Sequence, residues 1–152
     1  HLDQADISLA DFTGASMRSV GMGFVLAAYT SFRDADLTGA DLWQLKAYRC
    51  DFTGARLTGA TLRGVSAVEC TFEDADFTGA TFGTADATRA TDAAAAFCRR
   101  FGIAIDRSGR YTNDEAGAAH LWGGPCDFTG STGLPNHLAR IDPTGRRGWS
   151  LT

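Results

Sequence analysis

Cys98, His120, Cys126 and His137 are residue types that hold zinc or carry thiol chemistry. Their spacing fits no zinc signature: there is no C-x-x-C pair and no H-x-x-x-H pair, so neither a metal nor a cofactor is expected. Asp106, Asp114, Glu115 and His120 could move protons, but a turn aspartate, two helix N-terminal acids and a surface histidine account for them more simply. No Ser-His-Asp order, P-loop or GxGxxG is found, and the chemistry points to a non-catalytic protein. Cys50 and Cys70 stand 20 residues apart at the same inward position of the repeat and read as small buried hydrophobes.

Charge narrows the choice further. The chain of 152 residues has a formal net charge of −4. Residues 1–92 hold 13 acidic and 7 basic side chains, whereas residues 93–152 hold 5 and 7. That break divides the chain into two differently built regions. No basic stripe is present, so direct nucleic-acid binding is not expected. No apolar run reaches the roughly 18–20 residues of a membrane span, and "HLDQADISLA" lacks the basic and apolar regions of a signal peptide. The expectation is a soluble cytoplasmic protein.

What positions these residues is a period of five. Large apolar centres fall at Ile7, Phe12, Met17, Met22, Phe32, Leu37, Leu42, Phe52, Leu57, Leu62, Phe72, Phe77 and Phe82, and a small residue stands two before most of them. On an α-helix a five-residue step turns about 500°, so this row would bury no single face. A second period of 20 joins Phe12, Phe32, Phe52 and Phe72, and also Ala27, Ala47, Ala67 and Ala87. Where the centre shrinks to Ala27, Ala47 or Ala67, the residue two before grows to Val25, Leu45 or Val65. Inward volume is thereby kept. Four five-residue sides per turn describe a solenoid in which like residues stack.

The units "ADFTG", "ADLTG", "CDFTG", "ARLTG" and "ATLRG" resemble the pentapeptide-repeat family over about residues 2–92. The resemblance implies an all-β solenoid, a right-handed quadrilateral β-helix of four to five 20-residue coils. The expected division is residues 1–91 as β-helix and 92–152 as a small mixed α/β C-terminal cap. In that cap "TDAAAAFCRRFG" reads as a helix across the open end of the solenoid. "IAIDRSGRYT" reads as a hairpin, "NDEAGAAHLWGG" as a short helix from Asn113, and "CDFTG" at 126–130 as an orphan unit one residue out of frame.

Two surfaces stand out. Aspartates precede the centres and point outward in columns, among them Asp36, Asp41, Asp51 and Asp76. In the quinolone-resistance branch of the family an acidic dimeric rod imitates duplex DNA and occupies gyrase, so a topoisomerase is the partner this resemblance implies. Arg56 and Thr71 interrupt the columns here. The other surface is an apolar corner: Phe24, Leu26, Tyr29, Trp43, Tyr48 and Val68 occupy outward positions that elsewhere are polar. It is either covered by the C-terminal region, through Phe97, Phe101, Leu121 or Trp122, or it is a homodimer or partner face. The leading expectation is a non-catalytic interaction scaffold. The alternative is a ligand-binding or catalytic site where the C-terminal region docks on the β-helix.

Overall fold

The computed structural model describes residues 1–82, 92–101, 114–115, 118–119, 126–134, 139–141 and 147–149. Residues 1–82 wind into stacked parallel coils in which each residue pairs with the one 20 positions on. Strands β1 (Leu26–Ala28), β2 (Lys46–Tyr48) and β3 (Ser66–Val68) form a parallel sheet, with Ala27 opposite Ala47 and Ala47 opposite Ala67. The other sides pair through single bridges, such as Asp11 with Ser31, Ser31 with Asp51 and Asp51 with Thr71. Backbone bonds run both ways between coils: Phe12 N–H donates to Ser31 O at 2.8 Å, and Ser31 N–H donates to Ala10 O at 3.0 Å.

A corner comes every five residues, and its last position takes a positive φ. Gly14, Gly39, Gly54 and Gly59 lie between +65° and +69°, where glycine pays no steric cost. Larger residues hold the same conformation elsewhere, including Leu9 at 66°, Phe24 at 58° and Tyr29 at 54°. Inside the stack the phenylalanine column is continuous. Ring centroids are 5.4 Å apart for Phe12–Phe32 and 4.7 Å for both Phe32–Phe52 and Phe52–Phe72, with planes within 13°. Cys50 and Cys70 are free, buried thiols in the same interior, as their spacing predicts.

Two expectations are corrected. The unit 126–130 is not an orphan: it is the next coil. Asp127 pairs with Thr71 and Thr132 with Asp76, a step of 56 residues in place of 20. Phe128 continues the phenylalanine column, 5.0 Å from Phe72 with planes 5° apart. Cys126 follows Cys70 in its column, completely buried. The intervening chain adds 36 residues to the usual step, seven whole units plus one residue, and that odd residue is the frame slip visible in the sequence. Asp127 and Thr132 thus pair with the stack from beyond residue 91.

The second correction concerns the helix. α1 (Asp92–Phe101) begins where expected, but it lies against the side of the stack, not across its open end. The reason is the outward apolar set Leu26, Ala28, Tyr48 and Val68, which needs cover and meets Ala94, Phe97, Cys98 and Phe101 of the helix. Phe101 stacks on Tyr48 at 4.6 Å. Farther on, Asp114–Glu115 (β4) pairs antiparallel with Ala118–Ala119 (β5), where a short helix is expected from the sequence. Ala139–Ile141 (β6) pairs with Arg147–Trp149 (β7). The hairpin expected at 103–112 lies outside the described residues.

Candidate binding groove

The acidic columns are built by a local rule. The aspartates just before the apolar centres accept the backbone N–H of the residue two ahead: Thr13 to Asp11 at 2.9 Å, Thr38 to Asp36 at 3.1 Å, Trp43 to Asp41 at 3.1 Å, Thr53 to Asp51 and Thr78 to Asp76 at 2.9 Å. Short polar side chains favour such turns, which accounts for the D-x-T spacing. The bonds lower the carboxyl pKa values of Asp11, Asp36, Asp51 and Asp76. Thr38, with help from Arg18, takes Asp36 to about 2, and Thr78 lowers Asp76. For Asp51 burial works in the opposite direction, but bonds from Thr53 and Arg33 outweigh it.

Cations also dilute the columns. Arg18 pairs with Asp36 at 3.0 Å and Arg33 with Asp51 at 3.1 Å, and Arg56 stands between Asp36 and Asp76 in one bridge column. Asp41 shares its column with Gly21, Thr61 and Thr81.

The apolar corner divides into three parts. Leu26, Tyr48 and Val68 lie under or beside α1. Phe24 and Trp43 meet edge to face at 4.7 Å on the adjoining corner. Tyr29 remains half exposed, between Tyr48 and Phe101.

Beneath the helix sits a side chain that sequence reasoning missed. Lys46 occupies an outward position of β2 yet is wholly buried. Its Nζ donates to Gly64 O at 3.1 Å and to Ser66 Oγ at 3.3 Å. Desolvation brings its pKa down to about 7, partly offset by Cys98. Burial pushes Cys98 up to about 11. The only sequence signal was a lysine flanked by outward apolar residues. Cys98 lies in this outer cluster and Cys126 in the inner column, so those two thiols are not brought together. His120 and His137 lie outside the described residues, among which no group of three or more His, Cys, Asp or Glu side chains could hold a metal ion.

α1 covers β1 to β3 but leaves the first coil of the same side uncovered. Between them runs a half-open groove of about 360 Å³. Ser8, Leu9 and Tyr29 form one wall, and Ala96, Phe97 and Arg100 the other. Asp6 on the floor accepts Ser8 N–H at 3.0 Å and Ser8 Oγ–H at 2.6 Å.

Models of pentapeptide repeats match residues 47–91 in one form and 25–54 in another. Together the two models match residues 25–91 as pentapeptide repeats. The C-terminal region matches no family model. No curated protein matches the chain. Among solved structures, a pentapeptide-repeat protein of the Arabidopsis thaliana thylakoid lumen aligns with TM-score 0.53 and 19% identity, over 74% of this chain and 88% of that one. QnrB1, a plasmid-mediated fluoroquinolone resistance protein, aligns with TM-score 0.52 and 18% identity, over 60% of this chain and 44% of that one. At such identities the likeness concerns the fold, the right-handed quadrilateral β-helix of pentapeptide-repeat proteins. Among the described residues no helix is long and apolar enough to cross a membrane.

Proposed function

We propose that this chain is a non-catalytic interaction scaffold. The observation that carries the reading is the fixed 20-residue register, which holds outward side chains in columns on rigid faces, the arrangement repeat proteins use to bind partners. The reading takes the array as four to five right-handed coils, braced at the side by α1. In it the C-terminal hairpins form the cap, and the protein works in the cytoplasm.

The finer version is a gyrase-directed mimic of duplex DNA that gives drug resistance, with Asp36, Asp41, Asp51 and Asp76 as its contact face. Its support is the fold shared with QnrB1 and the outward carboxylates, of which Asp36, Asp51 and Asp76 are held below the ordinary carboxylate pKa. Against it stand Arg18, Arg33 and Arg56, because duplex DNA presents one uninterrupted charge per about 1.7 Å.

Gyrase supercoiling, measured with purified protein with and without a quinolone, tests the mimic. Inhibition or drug rescue that disappears on reversing Asp36, Asp51 and Asp76 supports it. No effect at protein concentrations well above micromolar removes gyrase as the partner and leaves the scaffold's other faces to be probed.

A further inference from the structure

We propose that the groove between the first coil and α1 binds a small amphipathic monoanion, with its apolar body along Leu9, Tyr29 and Phe97 and its carboxylate at Arg100. Size favours a small molecule. About 360 Å³ falls in the roughly 300–1,000 Å³ range of ligand pockets and is too little to seat a folded partner.

The walls supply the apolar half. Among the described residues Leu9 and Tyr29 are the large hydrophobic side chains left exposed, at 78% and 49%, and both face this groove. Leu9 also holds φ at 66°, a conformation unfavourable for a leucine. The coil gains no buried contact from leucine there that would offset this cost, whereas a ligand lying in the groove would cover it. On the opposite wall Ala93 and Ala96 keep the helix flank low and leave space for the ligand body.

Charge supplies the polar half. The Arg100 guanidinium stands over the Phe101 ring at 5.0 Å and forms no ion pair with the described residues. A planar guanidinium is suited to bidentate recognition of a carboxylate. Asp6, on the same groove, stays an acceptor for Ser8, and its negative charge opposes a second anionic group on the ligand. Among the described residues one basic side chain lines the groove, which matches one carboxylate.

The test compares decanoate with decylammonium, which share a tail and differ in the sign of the head, by following backbone amide shifts during titration. The protein's net charge of −4 favours the cation, so a preference for the anion must be local. Saturable decanoate shifts confined to Leu9, Tyr29 and α1 are expected, with decylammonium at least about tenfold weaker. Arg100→Gln should weaken decanoate about tenfold, and Arg100→Lys should restore part of the loss. Near-ultraviolet circular dichroism of the aromatic contacts around Phe101 checks that α1 stays docked in each variant. Equal binding of the two heads, shifts spread over the surface, or an unchanged Arg100→Gln titration would overturn the proposal. So would the absence of saturation by about 5 mM. The scaffold reading does not depend on this outcome.

Discussion

Residues 1–82 and residues 126–134 build the same object in different ways. In the first region each coil is completed by the next 20 residues, whereas the second supplies a coil after a step of 56. The contacts are alike: Phe128 stacks on Phe72 as Phe52 does on Phe32, and Asp127 accepts Thr129 N–H as Asp51 accepts Thr53 N–H. The difference lies in connectivity. Closing the longer loop costs only about 1 kcal/mol more than closing the shorter one. A repeat stack therefore tolerates a long excursion where one coil would otherwise follow another, provided the returning segment keeps the column residues. The excursion carries α1, so the insertion brings its own brace.

The largest separation between the two regions should come from the phenylalanine column. Phe52→Ala removes a ring stacked on both sides and should cost about 3–5 kcal/mol, lowering the denaturant midpoint of the whole array. Phe128→Ala should instead release the returning coil while the array keeps most of its midpoint. A smaller contrast lies at the corners. Gly59 has φ of +65° with nothing near its missing Cβ, so Gly59→Ala should cost about 1 kcal/mol. At Gly133, with φ of +77°, a Cβ would meet the backbone of Phe77 and Thr78. Gly133→Ala should cost about 2–3 kcal/mol and undock residues 126–134, seen as limited proteolysis at that segment.

The brace has its own signature. Lys46 titrates near 7 when folded, below its unfolded value of 10.5, so the unfolded chain binds more protons between them. Stability should therefore rise with pH from about 7. Cys98 is raised from 9.0 to about 11 and acts with the opposite sign above pH 9, flattening the rise. Lys46→Met should abolish the rise and stabilise the protein near pH 7 by about 1–2 kcal/mol, read from denaturation midpoints across pH.

The smallest effect belongs to the acidic columns. Asp36 is depressed from 3.8 to about 2, so its contribution is full above pH 4 and lost as the pH falls toward 2. Asp36→Asn should flatten the melting temperature over that window and change little at neutral pH.

The regular array was legible because its two periods repeat without a slip and no helix can bury a five-residue row. The outward aspartate columns were legible in the same way, but the bonds that each makes to the residue two ahead needed the backbone. The seat of α1 was half legible: outward Leu26, Tyr48 and Val68 required cover, and Phe97 and Phe101 were named among the residues that could give it. The return of Cys126–Thr132 was hidden, since pairing depends on columns, and a spacer that is not a multiple of five breaks the frame by which columns are read. Lys46 was hidden for a different reason. An outward lysine on a strand is ordinarily solvated, and only the helix laid over it buries it. Leu9 and Arg100 belong to units far apart in sequence, so nothing local links them into one groove.

Amide hydrogen exchange of Asp127 and Thr132 tests the central claim most directly. Asp127 N–H donates to Cys70 O at 3.0 Å and Thr132 N–H to Ala75 O at 2.9 Å, the bonds that make the returning segment a coil. Protection comparable to that of Thr71 and Asp76, the equivalent donors in the array, is the predicted result. Exchange at the rate of an unstructured peptide would contradict it.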